Sequence, residues 1–170
     1  MYGSFYKVVF IISAIIVGGV WAFDSFIDDS VFATRYDKQG GVINDSLAKE
    51  IHDAINQYRS LNGAKGLAYD IRLASVAQQH SDNMADQNIV AHVLNNQNHA
   101  ERFRANGYHC NNSGGENLLQ YSGHLTVQEI VQTWIDSPDH KKTMVAKFWK
   151  NSGVGVSKNS EFVFITQNFC

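Results

Sequence analysis

The sequence predicts an α+β domain preceded by an N-terminal hydrophobic helix. Apolar residues recur at helical spacing through the middle of the chain, and two strand patterns follow them, GVGV at 153–156 and FVFITQ at 162–167. A polar turn at 158–160 joins these strands as an antiparallel hairpin. Because the helices precede a hairpin rather than alternate with strands, the pattern favours helices packed around a small sheet.

The composition fits one globular domain with an extra segment. The chain has 170 residues, of which 44% are hydrophobic and 18% are charged. Its formal net charge is −2, whereas a domain that neutralises nucleic-acid phosphates is usually basic. We therefore expect no nucleic-acid partner.

An uninterrupted run of apolar and small residues, VVFIISAIIVGGVWAF at 8–23, follows Lys7. Membrane-spanning helices need about 17–25 such residues, so residues 1–23 fit either a signal peptide or a short membrane anchor. Trp21 and Phe23 make a poor cleavage site, which favours the anchor. Lys7 before the run and aspartates after it favour an N-inside, C-outside orientation. Both interpretations place the rest of the chain outside the cell, either at the membrane face or secreted.

The two cysteines, Cys110 and Cys170, suit that compartment. Outside the cell such a pair favours a disulfide, although two free thiols remain open at this point. In the chain-entropy model, a bridge that closes a loop of about 60 residues stabilises a fold by roughly 4 kcal/mol.

The elements before the hairpin follow from caps and periodicity. Residues 24–43 have no steady period and contain Gly40-Gly41, so they are predicted to form a linker, and the domain proper is predicted at 44–170. Amide-rich residues 89–98, which include His92, are predicted to form a loop. A strand is predicted to start at Glu116. Helices are predicted from Asn44 to Asn62-Gly63 and at 70–88, 100–105, 126–135 and 138–147.

The only proline of the chain marks the start of the last of these helices. Ser137 is placed to act as N-cap through its side chain, and Pro138 fits the first helical position. Asp139 favours the positive end of the helix dipole. His140 then has a fixed place in the first turn. These residues alone leave two interpretations open, an ordinary exposed histidine and a positioned functional group.

Six short motifs occur in an order that is typical of one family. The domain resembles the CAP superfamily of cysteine-rich secretory, antigen 5 and pathogenesis-related-1 proteins, in its bacterial-type pattern, also known as the SCP-like extracellular domain. The resemblance covers 44–170. The motifs are Asn56-Gln57-Tyr58-Arg59, Ala77-Gln78-Gln79-His80-Ser81, Gly115-Glu116-Asn117-Leu118, the segment WIDSPDH at 134–140, GVGV at 153–156 and TQNF at 166–169.

The resemblance implies an α-β-α sandwich with a solvent-open cleft lined by two histidines and two acidic residues. Carried over by position, His92, which stands where the family has a loop histidine after its second helix, takes one of these places, and Glu116 and His140 take two more. The second acid of many members falls on Ser137, so a complete set of four is in doubt.

Two weaker candidates remain for the missing acid, Asp136 and Glu129. Glu129 is also explained by a capping box with Thr126, which we favour. Among the other histidines, His80 is expected to be a packed helix residue. His52, His99, His109 and His124 are expected at the surface.

The resemblance favours a non-catalytic domain that binds a ligand in the cleft, such as a lipid or a cell-envelope component. The alternative is a zinc-assisted hydrolase in which His92, His140 and Glu116 hold the metal and its water. With His92 and His140 as the only ligands, zinc would bind weakly and exchangeably. A third interpretation is a surface interaction protein with a vestigial cleft, in which Glu116 only holds its own loop.

Overall fold

The computed structural model describes residues 45–170. The predicted anchor at 1–23, the linker at 24–43 and the Asn44 cap lie outside the described residues. No helix within 45–170 is long and apolar enough to cross a membrane. The elements are α1 (Asp45–Leu61), β1 (Ala68–Tyr69), α2 (Ile71–Gln87), α3 (His99–Ala105), β2 (Gly115–Tyr121), α4 (Val127–Asp136), α5 (Pro138–Val145), β3 (Asn151–Lys158) and β4 (Val163–Phe169).

Four strands form one sheet in the order β1-β3-β4-β2. The predicted hairpin is confirmed, because β3 and β4 pair antiparallel, and β2 pairs antiparallel with the other side of β4. The small sheet is antiparallel except at one edge, where β1 pairs parallel with β3. The sequence carries no signal for β1, since two residues cannot show an alternating pattern.

Helices cover both faces of the sheet, which confirms the predicted α-β-α sandwich. On one face α1, α4 and α5 pack over a core that includes Ile51, Trp134 and Val154. On the other face α2 lies along β3 and β4. Side chains alternate along β3, so that its valines enter the core while its glycines face α2.

Glycine is required where α2 crosses β3. A Cβ atom on Gly155 would lie 2.1 Å from the backbone nitrogen of Gln78. Because the two backbones are this close, the Gln78 side chain reaches the strand. Its amide accepts from the Val156 N–H at 2.9 Å and donates to the Val156 carbonyl at 2.8 Å. β1 pairs with Asn151 and Ser152 at the start of β3. The Gln78 bonds satisfy backbone N–H and C=O groups beyond that pairing, where the edge of β3 has no strand beside it from β1.

The predicted disulfide is confirmed. Cys110 and Cys170 are bonded, with their Cα atoms 5.5 Å apart, and there are no free cysteines among residues 45–170. The bridge packs against the buried rings of Phe103 and Tyr108. It ties the loop that leads into β2 to the residue that follows β4.

The cap predicted for α5 is partly wrong. Pro138 occupies the start of the helix as expected, and Ser137 occupies the cap position. The Ser137 side chain makes no capping hydrogen bond, however, although the residue has the extended backbone usual for an N-cap, with φ −93° and ψ 115°. Its carbonyl accepts from the Lys141 N–H at 2.9 Å, so the backbone rather than the side chain starts the helix.

Candidate functional site

The centre of the site is a buried carboxylate on β2. Glu116 is 7% exposed and both of its oxygens are engaged. Oε1 accepts from Nδ1 of His92 at 2.8 Å, and Oε2 accepts from Nη2 of Arg102 at 2.5 Å. His92 comes from the loop at 89–98 and Arg102 from α3, so one carboxylate joins three segments that are distant in sequence.

Arg102 also holds the loop that carries His92. Its side chain is buried, and Nη1 donates to the carbonyls of His92, at 3.2 Å, and Gln97, at 2.7 Å. The sequence does not point to Arg102, because an arginine on a short helix is ordinarily solvated and no motif singles it out. The pairing of Arg102 with Glu116 cannot be read from the sequence either, because the sequence gives no distance between the two positions.

The charges of this cluster determine its pKa values. Burial alone would raise the pKa of Glu116, but the hydrogen bond from His92 and the positive charge of Arg102 together lower it below its usual value. The hydrogen bond to Glu116 raises the pKa of His92. His92 donates through Nδ1 and its side chain is 55% exposed, so Nε2 is the nitrogen left for contact with a ligand.

His80 supports the cluster from α2 and is packed, as the sequence predicts. Its side chain is fully buried, and Nε2 donates to the Ala91 carbonyl at 3.0 Å. Burial lowers the pKa of His80 to about 4, so the ring is neutral near pH 7. The charge of Glu116 is therefore balanced within the buried layer by Arg102.

Asn117 connects the same strand to the opposite helix layer. Consecutive side chains of β2 point to opposite faces of the sheet, so Asn117 points away from Glu116. Its Nδ2 donates to the His140 carbonyl at 3.1 Å and thereby holds the first turn of α5.

His140 is half-buried. Burial and the neighbouring His92 lower the pKa of His140, and Asp139 opposes the shift. His92, Glu116 and His140 thus lie in one region of the fold.

An open cleft of about 700 Å³ lies beside this cluster. Residues from α3, α5, the start of β2 and the loop at 89–98 form its walls. The lining residues are His92, Asn98, His99, Ala100, Arg104, Ser113, Gly115, Glu116 and Thr143. His140 is close enough to His92 for that residue to lower the pKa of His140, but His140 is not among the lining residues.

Two of the histidines expected at the surface are placed elsewhere. His99 is half-buried and lines the cleft, and burial lowers its pKa in spite of its hydrogen bond to the Gly114 backbone. His52 is 3% exposed, and its Nδ1 lies 2.9 Å from the Ser152 hydroxyl. Neither burial could be predicted, because each depends on a partner distant in sequence. His109 and His124 are exposed, as predicted.

The two weaker acid candidates lie outside the cleft lining. Glu129 is exposed and forms the capping box of α4, in which Oε2 accepts from the Thr126 N–H at 2.8 Å. Asp136 is exposed and accepts from Nε2 of Gln132 at 2.7 Å. Within the described residues, Glu116 is therefore the only acidic side chain that lines the cleft.

The donor set does not fit a zinc ion held by three protein ligands. Over residues 45–170, no group of three His, Cys, Asp or Glu side chains is arranged to hold a metal. Glu116 has both oxygens engaged, one of them by the permanent positive charge of Arg102, which would repel a cation. We derive no chemical step through a metal at this site.

Comparisons with known proteins give the family and the fold. Residues 52–169 match the model of the family described as CAP, the cysteine-rich secretory protein family. The chain is 27% identical over 133 residues to the uncharacterized membrane protein YlbC of Bacillus subtilis, a match that covers 78% of this chain and 37% of that protein. The chain thus spans little more than a third of that curated relative.

Two solved structures resemble the fold. An outer surface protein of Borrelia burgdorferi superposes with a TM-score of 0.63 at 18% identity, over 75% of this chain and 94% of that chain. An extracellular protein of Bacillus anthracis that contains an SCP domain superposes with a TM-score of 0.60 at 24% identity, over 84% of this chain and 49% of that chain. At these identities the likeness concerns the fold alone. Because the family match covers well over half of the sequence, the chain belongs to the CAP, or cysteine-rich secretory protein, family.

Proposed function

We propose that this CAP domain is a non-catalytic ligand-binding module at the outer face of the cell membrane, tethered by its N-terminal apolar segment. The disulfide between Cys110 and Cys170 supports an oxidising compartment. The names of the related proteins support the same location, since one is called a membrane protein and others are called outer surface or extracellular proteins. The apolar run at 8–23 supplies a segment of suitable character for the tether.

The observation that carries the ligand-binding function is the cleft with its oriented imidazole. Glu116 and Arg102 hold the His92 ring and the backbone of its loop, so His92 meets a ligand in a fixed orientation. The exposed apolar side chains of Val90 and Val93 flank His92 in sequence, which supports a ligand with an apolar part, such as a lipid. The engagement of both Glu116 oxygens by His92 and Arg102 supports the non-catalytic assignment.

Purification of the full chain from membranes, followed by organic extraction and mass spectrometry, tests this function. Wild-type protein is expected to carry an extractable molecule that the His92→Ala/His140→Ala variant loses. The matched control is His109→Ala/His124→Ala, which removes two exposed histidines outside the cleft lining. Equal retention by all three proteins would refute a role for the cleft and favour the surface-interaction interpretation.

The location has a separate test. Protease added to intact cells is expected to digest a C-terminal epitope on the full chain, and digestion is expected to be unchanged after the cells are permeabilised. Protection of the epitope in intact cells would refute the outer location.

One-to-one zinc binding by the wild-type protein that the His92→Ala/His140→Ala variant loses would instead favour the alternative of a zinc-assisted hydrolase.

A further inference from the structure

We infer that the cleft receives an anionic oxygen group of its ligand, a phosphate or a carboxylate. This inference rests on the proposed ligand-binding function of the same cleft. Its basis is a lining that offers hydrogen-bond donors and a positive charge without a free carboxylate to oppose them.

Glu116, the one acidic side chain that residues 45–170 contribute to the lining, is already neutralised. Glu116 accepts from His92 with one oxygen and from Arg102 with the other, and it is 7% exposed. The carboxylate therefore has little capacity to accept a further bond from a ligand, and its charge is balanced by a buried guanidinium. A cationic ligand would find no free carboxylate in the described lining.

A second arginine supplies a positive charge that remains unbalanced. Arg104 is exposed, lines the cleft, and has no ion-pair partner within residues 45–170. Because the charges of Arg102 and Glu116 cancel, the Arg104 guanidinium gives the cleft one permanent positive charge. Glu101 and Asp139 are not among the residues that line the cleft, and the Glu101 carboxylate accepts from the Asn98 N–H in the capping box of α3.

Donor groups complete the lining. Asn98 uses its Oδ1 to accept from the Glu101 N–H, so the amide NH₂ is the part of its side chain left for a ligand. His92 and His99 present ring nitrogens, and Ser113 presents a hydroxyl. Guanidinium and amide donors around a partly enclosed space are the groups that phosphate and carboxylate oxygens prefer.

Titration of the isotope-labelled full chain in detergent with sodium phosphate and sodium acetate, against sodium chloride at equal ionic strength, tests the inference by NMR. Phosphate or acetate is expected to shift the backbone amide signals of Gly114, Gly115 and His99 saturably. Arg104→Gln is expected to weaken this binding about fivefold, the size expected for one exposed ion pair. The matched control, Arg72→Gln, removes an exposed arginine of α2 that is absent from the cleft lining and is expected to bind as wild type does.

Two results would overturn the inference: no saturable shift of these amides with phosphate, with acetate or with phosphatidylglycerol vesicles, or equal affinity of Arg104→Gln and wild type. If the cleft histidine variant still loses its extractable molecule in that case, the proposed function stands and only the anionic character of the ligand is wrong. If all variants keep the molecule, the proposed function fails as well.

The anion can belong to a membrane lipid or to a soluble compound. Vesicles of phosphatidylcholine, with or without phosphatidylglycerol, distinguish these sources without added phosphate. Shifts of the same amides only with phosphatidylglycerol identify a lipid headgroup, whereas shifts only with free phosphate or acetate identify a soluble ligand. Either outcome supports the inference, and the absence of both overturns it.

Discussion

Substitution of Gly155 by alanine tests the close packing of α2 on β3. The new Cβ would lie 2.1 Å from the nitrogen of Gln78, 2.3 Å from the carbonyl carbon of Ala77 and 2.4 Å from Cα of Gln78. All three are backbone atoms, so no change of rotamer relieves the clash. The helix must move away by more than about 1 Å before the contact reaches an ordinary distance.

This movement breaks hydrogen bonds that join the helix to the strand. The Gln78 amide makes two bonds to the Val156 backbone, at 2.8 and 2.9 Å, and the Ser81 hydroxyl donates to the Gly155 carbonyl at 3.0 Å. Loss of a buried hydrogen bond costs about 1–3 kcal/mol, and overpacking a core costs about 1–3 kcal/mol. We therefore expect Gly155→Ala to lower the free energy of unfolding by at least about 4 kcal/mol, a large part of the 5–15 kcal/mol that stabilises a typical domain.

Urea unfolding of the purified chain, followed by the fluorescence of buried Trp134, measures the effect. The matched control is Gly66→Ala, whose Cβ would have its nearest neighbour at 3.6 Å, an ordinary contact. The control is expected to change stability by less than about 1 kcal/mol, because alanine there only reduces the freedom of the unfolded chain. A free energy of unfolding for Gly155→Ala within about 1 kcal/mol of wild type would refute the reasoning.

Three further predictions concern charge, pH and the disulfide. Arg102→Met leaves the Glu116 carboxylate buried without its partner, so urea unfolding at pH 7 is expected to show a loss of about 3–5 kcal/mol, and a loss below about 1 kcal/mol would contradict the pairing. The pKa of His80 is lowered to about 4, so between pH 6.5 and 4 the unfolded chain binds a proton that the folded chain does not. The free energy of unfolding is therefore expected to decrease by up to about 3 kcal/mol as the pH is lowered from 6.5 to 4. Urea unfolding over a pH series should show a smaller decrease in His80→Gln. Reduction of the Cys110–Cys170 bond is expected to lower the free energy of unfolding by about 2–4 kcal/mol, whereas reductant should leave Cys110→Ser/Cys170→Ser unchanged.

Elements with a long repeat or a strong boundary residue could be predicted from the sequence. The α2 helix, predicted at 70–88, spans Ile71–Gln87, and the stretch predicted at 126–135 spans Val127–Asp136. Periodicity works there because one face of each helix is buried over several turns. β1 could not be found in this way, since its two residues form a strand by pairing with Asn151 and Ser152, which are distant in sequence.

The candidate site divides in a similar way. His92 and Glu116 were identified through family motifs, and the structure places them in direct contact. Arg102 was missed because a buried arginine opposes the usual preference of that residue for solvent, and only its carboxylate partner explains it. The cleft-lining position of His99 depends on the course of the loop before β2, which the local sequence does not specify.

The position of β4 in the sheet has a consequence for folding. The strand that carries Glu116, β2, and the strand that packs closely on α2, β3, do not pair with each other, since β4 lies between them. Among the strands of residues 45–170, β2 pairs with β4 alone, and its partners lie 42–54 positions later in the chain. Such long-range pairing is entropically costly and comes late in folding. The cleft therefore forms only when Val163–Phe169 has joined the sheet. A chain that lacks this strand should have no ligand site, and the backbone groups of β2 that pair with β4 should be exposed.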